Sequence, residues 1–127
     1  MNAFPAQSLE PNLTQAEQKL LDEVAKGRSA VVLVRSATRV DVGEWLRRGH
    51  VVGVCFGDEW VMFAAGRRPF IERVPARILV ASTYNPLVGE LVLAPAPDIK
   101  VRQIKMSPLE AGRVLHGILN VSDEVAN

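Results

Sequence analysis

The sequence predicts a mainly β protein of the α+β class, with seven antiparallel strands between one N-terminal and one C-terminal helix. Three observations favour this class. Both ends of the 127-residue chain carry a helix-capping motif followed by an amphipathic segment. Between them lie short runs rich in β-branched residues, separated by glycine and proline. Most connections are too short for the crossovers of a parallel sheet, so the strands should pair antiparallel.

The composition is that of one globular domain. Hydrophobic residues make up 48% and charged residues 23% of the chain. At this length a core can form without disulfides or metals. We expect residues 1–12 to be a flexible N-terminal arm, because they contain two prolines and no periodic pattern, and residues 13–127 to fold as a single unit.

The first helix is predicted over residues 14–26. Thr14 and Glu17 form a capping box, in which each side chain accepts a hydrogen bond from the other residue's backbone N–H. Gly27 is a natural C-terminal stop. The apolar positions that share one face are Ala16, Leu20, Leu21 and Val24.

The closing helix is predicted over residues 107–120. Ser107 and Glu110 form a second capping box, and Pro108 occupies the first helical position, where a missing N–H costs nothing. The spacing of the apolar positions is that of a buried stripe. They are Ala111, Val114, Leu115, Ile118 and Leu119.

The region between the helices, residues 30–106, contains the predicted strands. They are Ala30–Ser36, His50–Phe56, Trp60–Ala65, Phe70–Val74, Ile78–Tyr84, Glu90–Ala94 and Ile99–Met106. Alternation in the last strand changes parity near Arg102 and Gln103, which predicts a β-bulge there. The segment Asp41–Arg48 is ambiguous, because Asp41 could also cap a short helical turn.

One hairpin is apolar on both faces. VVGVCFGDEWVMFAAG, residues 51–66, reads as two strands joined by a turn at residues 57–59. Side chains of a strand alternate between its two faces, and here both faces are apolar. Either both faces are covered, or one of them is a contact surface.

The order of elements resembles that of the pleckstrin-homology-like (PH-like) superfamily, in its bacterial members. The hairpin VVGVCFGDEWVMFAAG, the stretches at residues 72–75 and 88–93, and the helix SPLEAGRVLHGIL carry the resemblance, which covers roughly residues 30–120. It implies a seven-stranded antiparallel barrel of two nearly orthogonal sheets, plugged by the C-terminal helix, with an extra N-terminal helix. The alternative is an α+β sandwich with both helices on one face of an open sheet.

The sequence offers no catalytic constellation. Cys55 is the only thiol, and His50 lies an odd number of residues away on the same predicted strand, so the two side chains should point to opposite faces. We interpret Cys55 as a small core residue. There is no close pair of zinc ligands and no phosphate-binding loop, so we expect no metal, no cofactor and no enzymatic activity.

Arginines mark the predicted binding surface. Turns that alternate along an antiparallel meander lie at the same end, so the loop at residues 37–49 and the turn at residues 66–69 should lie together. Arginine suits acidic peptides and lipid headgroups, and a tryptophan adds apolar area. We name this predicted surface the basic rim: Arg39, Trp45, Arg47, Arg48, Arg67 and Arg68.

The resulting functional hypothesis is a non-catalytic interaction domain that binds a protein partner or forms a homo-oligomer. The alternative is a peripheral module that binds anionic membrane lipid through the basic rim. We do not expect nucleic acid as a partner, because the net charge is only +1 and the pI about 7.9. No secretory signal or membrane-spanning run is visible, so we expect a cytoplasmic protein.

Overall fold

The structure is a computed structural model that describes the backbone of residues 11–41, 48–95 and 99–126. Side chains are described for the same residues except 41, 48 and 120–126. Most of the predicted N-terminal arm and the ambiguous stretch at residues 42–47 therefore lie outside the described residues.

Helices and strands follow one another in the predicted general order. In chain order they are α1 (Gln15–Ala25), β1 (Val32–Arg35), β2 (Val40–Asp41), β3 (Arg48–Gly49), β4 (Val52–Cys55), β5 (Glu59–Ala64), β6 (Phe70–Pro75), a 3-10 helix (Ala76–Leu79), β7 (Thr83–Asn85), β8 (Glu90–Val92), β9 (Gln103–Lys105) and α2 (Pro108–Ala126). β2 and β3 were not among the predicted strands.

The predicted closed barrel is wrong. Within the described residues the strands form a four-stranded sheet in the order β1-β4-β5-β6, a three-stranded sheet β7-β8-β9 and a small ladder of β2 with β3. All pairs are antiparallel, as predicted. The sheets do not close because the 3-10 helix separates β6 from β7, while Ala37 N–H donating to the Lys105 carbonyl links the first sheet to β9.

The two helices cover opposite faces of the four-stranded sheet, so the alternative sandwich with both helices on one face is also wrong. On one face, Leu20 and Val24 of α1 pack in a cluster with β4 and β5. On the other face, Val114 and Ile118 of α2 belong to a larger core that the three-stranded sheet shares. The hairpin at residues 51–66 is apolar on both faces because both are covered.

The capping box of α1 is confirmed. Glu17 N–H donates to Thr14 Oγ1 at 3.1 Å, and Thr14 N–H donates to Glu17 Oε1 at 2.9 Å. The same Glu17 carboxylate is buried and accepts from Arg35 Nε at 3.0 and 3.1 Å. One side chain thus starts the helix and fixes it to β1. Left-handed backbone at Lys26 and Gly27, with φ of 51° and 83°, ends the helix.

The capping box of α2 is confirmed too, but the helix is longer than predicted and extends to Ala126. The predicted stripe is partly wrong, since Leu119 is 47% exposed. The physical reason is the contact at Gly117, where an added Cβ would lie 3.3 Å from Val32 Cγ2. The helix presents Ala111, Gly117 and Ile118 to the sheet, and this turns Leu119 outward.

The predicted strand Ile78–Tyr84 is wrong except at its end: its first two residues belong to the 3-10 helix, residues 80–81 form a turn, and only Thr83 and Tyr84 lie in a strand. Ala76 and Leu79 are both fully buried, a spacing of three that matches the three residues per turn of a 3-10 helix. Ala76 N–H is held by the Asp58 carbonyl at 2.9 Å. Tertiary contact therefore overrides the β-branched composition that favoured a strand.

The last strand is shorter than predicted. β9 begins at Gln103, and the buried positions change from Val101 to Ile104 with two exposed residues between them. The buried positions therefore change from odd to even numbers at residues 102–103, where the β-bulge was predicted and where β9 begins. Before it, the Glu72 carboxylate accepts from the backbone N–H of Lys100 at 2.8 and 3.0 Å and joins β6 to this segment.

Candidate functional site

The register of the four-stranded sheet decides where the basic rim lies. Arg35 at the end of β1 pairs with Val52, Val52 with Phe63, and Phe63 with Ile71. The connection from β1 to β4 and the turn from β5 to β6 are therefore at the same end of the sheet. The prediction that these two connections share an end is confirmed.

Only part of the basic rim is described. Arg39, Arg67 and Arg68 are exposed at this end. Arg48 lies in β3, where its backbone pairs with Asp41. Trp45 and Arg47 lie outside the described residues, so the tryptophan and the assembled rim remain predictions.

Cys55 is a core residue. Its side chain is 0% exposed and belongs to the larger apolar core. Burial raises the pKa of the thiol, and this outweighs the lowering effect of the Gly57 backbone. The Nδ1 atom of His50 lies 3.0 Å from the Ser36 carbonyl oxygen. The thiol is therefore held in its protonated, weakly nucleophilic form.

Trp60 is also part of the core rather than of a surface. It is 0% exposed, and its indole lies across Gly53 of the neighbouring strand. A Cβ at Gly53 would lie 2.5 Å from the Trp60 Cη2 atom, so only glycine leaves room for the ring. Its Nε1 is buried without a hydrogen-bond partner in the described structure.

A charged cleft lies at the opposite end of the sheet from the basic rim. It has a volume of about 300 Å³ and is lined by residues from α1's C-terminal connection, the β4–β5 turn, β6 and the 3-10 helix. We name it the arginine cleft. Its charged residues are Arg28, Arg73, Arg77, Asp58 and Glu59.

Arg28 is the most firmly held side chain of the arginine cleft. Its Nε and Nη2 donate to the Ala25 and Val24 carbonyls at 3.0 and 2.9 Å. Its Cζ lies 4.3 Å from the centroid of the Phe56 ring. Arg28 therefore satisfies carbonyls at the end of α1, and its guanidinium is fixed before any ligand arrives.

Positive charge is in excess in the arginine cleft. Glu59 Oε1 lies 3.0 Å from Arg28 and 3.4 Å from Arg73, so one carboxylate serves two guanidiniums. Arg77 is exposed and has no hydrogen-bond or ion-pair partner among the residues that the structure describes. With Asp58 as the second carboxylate, three guanidiniums face two carboxylates. Such a cleft attracts an anionic group with donors of its own.

Sequence reasoning missed the arginine cleft because its arginines come from three separate segments. The signal was weak but present: Arg73 and Arg77 flank Pro75, and Asp58 and Glu59 form a turn. Only the fold brings Arg28 beside them. A cluster assembled by tertiary contacts leaves no spacing in the sequence.

Another surface exposes apolar side chains on an ordered turn. The β7–β8 turn is held by Leu87 N–H donating to Asn85 Oδ1 at 3.0 Å and by Gly89 N–H donating to the Asn85 carbonyl at 2.9 Å. Leu87 is 92% exposed. Val88 beside it is 47% exposed, and Leu109 at the start of α2 is 60% exposed.

The start of α2 lies next to this turn. Met106 N–H donates to the Gly89 carbonyl at 3.0 Å, and Tyr84 Oη donates to the Met106 carbonyl at 2.9 Å. We name Leu87, Val88 and Leu109 the apolar knob. The hydrogen bonds of the turn and of Met106 fix the backbone beside these three side chains, which are exposed to water.

A larger cleft, of about 570 Å³, lies on the outer face of the three-stranded sheet. The residues that line it include Glu90 of β8 and Gln103 of β9, together with Lys100 and Arg102 from the segment before β9. These side chains include no nucleophile paired with a base.

The described part of the chain contains neither a candidate metal site nor a candidate membrane-spanning helix. No group of three or more His, Cys, Asp and Glu side chains is placed there to hold a metal ion. No helix of that part is both long and apolar enough to cross a membrane. Comparisons with protein-family models, with curated proteins and with solved structures found no match to this chain.

Proposed function

We propose that the protein is a non-catalytic interaction domain that docks onto another protein through the apolar knob. The observation that carries the proposal is Leu87, which is 92% exposed on a turn fixed by two hydrogen bonds to Asn85. An apolar side chain that is already ordered loses little conformational entropy when a partner covers it. The knob is thus suited to act as an interface anchor.

The chemistry of the interior supports a binding rather than a catalytic role. Cys55, the single thiol, is packed in the core with a raised pKa, and its nearest histidine in sequence is held at a backbone carbonyl. The arginine cleft is lined by arginines and carboxylates in ion pairs, which are recognition groups. The proposal places the protein in the cytoplasm, where a lone thiol stays reduced.

The test compares wild type with Leu87→Ser and with the matched control Ile78→Ser, which removes a 40% exposed isoleucine from the 3-10 helix. Light scattering over a range of concentrations measures self-association, and capture from the native host measures binding of other proteins. We expect association that Leu87→Ser reduces at least tenfold and Ile78→Ser leaves unchanged. Binding that both variants retain, or no association at all, would contradict the proposal.

A second candidate function, binding to anionic membrane lipid, is favoured by one observation. The register brings Arg39 to the same end of the sheet as Arg67 and Arg68. Arginines at one end can attract anionic headgroups, with about 1 kcal/mol from each residue near the surface.

Co-sedimentation with phosphatidylserine vesicles tests the lipid candidate. Binding should appear at low salt, weaken at about 0.15 M salt because of screening, and fall with Arg39→Glu plus Arg67→Glu. The control, Arg102→Glu plus Lys105→Glu, makes the same change in net charge on the three-stranded sheet. No sedimentation at low salt, or equal loss with both pairs, rules the candidate out.

A further inference from the structure

We propose that the outer edge of β6 accepts an extended acidic segment of a protein partner as an added strand, with the arginine cleft binding its carboxylate. This inference rests on the proposed function for the statement that the ligand is a protein. It adds a second docking surface, separate from the apolar knob, and it names the chemistry of the segment.

The first observation is that β6 is an edge strand. The four-stranded sheet has the order β1-β4-β5-β6, and β6 is its longest strand together with β5. In the described structure β6 pairs with β5 alone. An edge strand is a template for another strand, because half of its backbone groups point away from the sheet.

The hydrogen-bond pattern identifies which backbone groups point outward. Asp58 and Ala76 continue the β5–β6 register by one position beyond the pair Glu59–Pro75. Ala76 N–H donates to the Asp58 carbonyl, so this is a hydrogen-bonded pair. Hydrogen-bonded pairs alternate in an antiparallel ladder, so Trp60–Val74 and Met62–Glu72 are the bonded pairs. The backbone N–H and C=O groups of Ile71 and Arg73 therefore face outward.

Proline at position 75 agrees with this assignment. Pro75 pairs with Glu59 in a position that requires no N–H toward β5, and proline has none. On the outer side, none of the described residues bonds to the backbone of Ile71 or Arg73. Both side chains are exposed. They lie on the same sheet face as α1, which packs against the inner strands β4 and β5.

The second observation is the charge beside this edge. The backbone groups of Arg73 face outward, and its side chain lines the arginine cleft. Arg77 lines the same cleft and lies two residues after the end of β6. An added strand would place one of its side chains next to Arg73. Glu59 is already shared between two guanidiniums, and Arg77 has no partner in the described structure, so a carboxylate is the side chain that fits.

The mixed lining favours a peptide over other anions. Asp58 is exposed in the arginine cleft and can accept a backbone N–H or a side-chain donor, both of which a peptide supplies beside its carboxylates. Pairing of β6 with β6 of a second copy, centred on Arg73, would bring two arginines together. These charges select a foreign, acidic segment.

The test is selection of binders from a random dodecapeptide library displayed on phage, followed by affinity measurement with the best synthetic peptide. We expect enrichment of Asp or Glu alternating with β-branched residues. Arg77→Glu should weaken binding more than tenfold, because Arg77 supplies charge without supporting the fold. The matched control Arg102→Glu removes an exposed arginine on another face and should leave affinity within twofold.

Amide hydrogen exchange of the same complex tests the added strand. The Ile71 and Arg73 amides should become protected on peptide binding, while the Glu72 and Val74 amides, bonded to β5, change little. Peptide methylated at alternate backbone nitrogens should not bind.

Three results would overturn the inference: no acidic enrichment, equal effects of the two charge reversals, or unchanged exchange at Ile71 and Arg73. Protection of these amides in a dimer without peptide would assign the edge to a second copy instead. Loss of vesicle binding on Arg77→Glu, without peptide binding, would assign it to lipid. These outcomes leave the apolar knob and its Leu87→Ser test unaffected.

Discussion

At the scale of single residues, the position of the Trp60 ring in the core requires a glycine at position 53. The indole occupies the space above Gly53, and a Cβ there would lie 2.5 Å from the Trp60 Cη2 atom. Local sequence alone does not place the ring, because a tryptophan beside a turn is common both in cores and at interfaces. Gly53 lies on β4 two residues from Cys55, the partner of Trp60, so its importance becomes visible only when the register of the two strands is known.

Replacing Gly53 with alanine should destabilise the protein by about 1–3 kcal/mol or more, the range for an overpacked core. The Trp60 ring must shift within a core that leaves it 0% exposed. Chemical denaturation measures the free energy of unfolding. The control is Gly49→Ala, since no atom of the described residues lies within 4 Å of a Cβ at that position. Equal effects of the two variants would contradict the close contact.

Cys55 should react slowly with thiol reagents in the folded state at neutral pH, and rapidly in denaturant. Burial raises the pKa of the folded thiol above the ordinary value of 9.0, so the unfolded chain loses its proton first as the pH rises. The contribution of Cys55 to stability is therefore complete below pH 9.0 and declines above it. Denaturation of wild type and Cys55→Ala across this range measures the decline. Fast labelling of native protein at pH 7 would show that the thiol is accessible.

At the scale of elements, the helices show what local sequence determines. Both capping boxes are predictable because Thr14 and Glu17, like Ser107 and Glu110, interact across three residues. The face that α2 buries is less predictable. It depends on the close approach at Gly117, which a stripe of apolar residues does not reveal.

Truncating Ile118 to alanine should cost about 2–5 kcal/mol of unfolding free energy, as expected for a buried aliphatic side chain. Ile118 is 1% exposed, whereas Leu119 is 47% exposed. Leu119→Ala is thus the matched control and should change stability by less than about 0.5 kcal/mol. Denaturant titration separates the two. A larger loss for Leu119→Ala would mean that the original stripe is the buried face.

Removing the guanidinium of Arg35 should destabilise the contact of α1 with the sheet. Glu17 is 4% exposed, and it would lose a charged donor while staying buried, which costs about 1–3 kcal/mol. The variant is Arg35→Ala, and Lys19→Ala on the exposed face of α1 is the control. Thermal unfolding measures both. A shift no larger than that of Lys19→Ala would show that Glu17 does not need this partner.

At the scale of the whole molecule, strand content was predictable and closure was not. Alternation and turn residues indicate strands from local sequence, but whether β6 meets β7 depends on the 3-10 helix at residues 76–79. That helix forms because Leu79 is buried and Ala76 is bonded to Asp58. The arginine cleft depends on the same contacts. For this reason a basic rim could be predicted from arginines in two connections of the meander, whereas the cleft could not.

The central claim is that the four-stranded sheet is open along β6. Native-state amide hydrogen exchange of the unliganded protein tests it most directly. The account predicts slow exchange for the Glu72 and Val74 amides, which bond to β5, and fast exchange for the outward-facing Ile71 and Arg73 amides. Slow exchange at all four positions would mean that another strand covers this edge, as in a closed barrel, and would contradict the account.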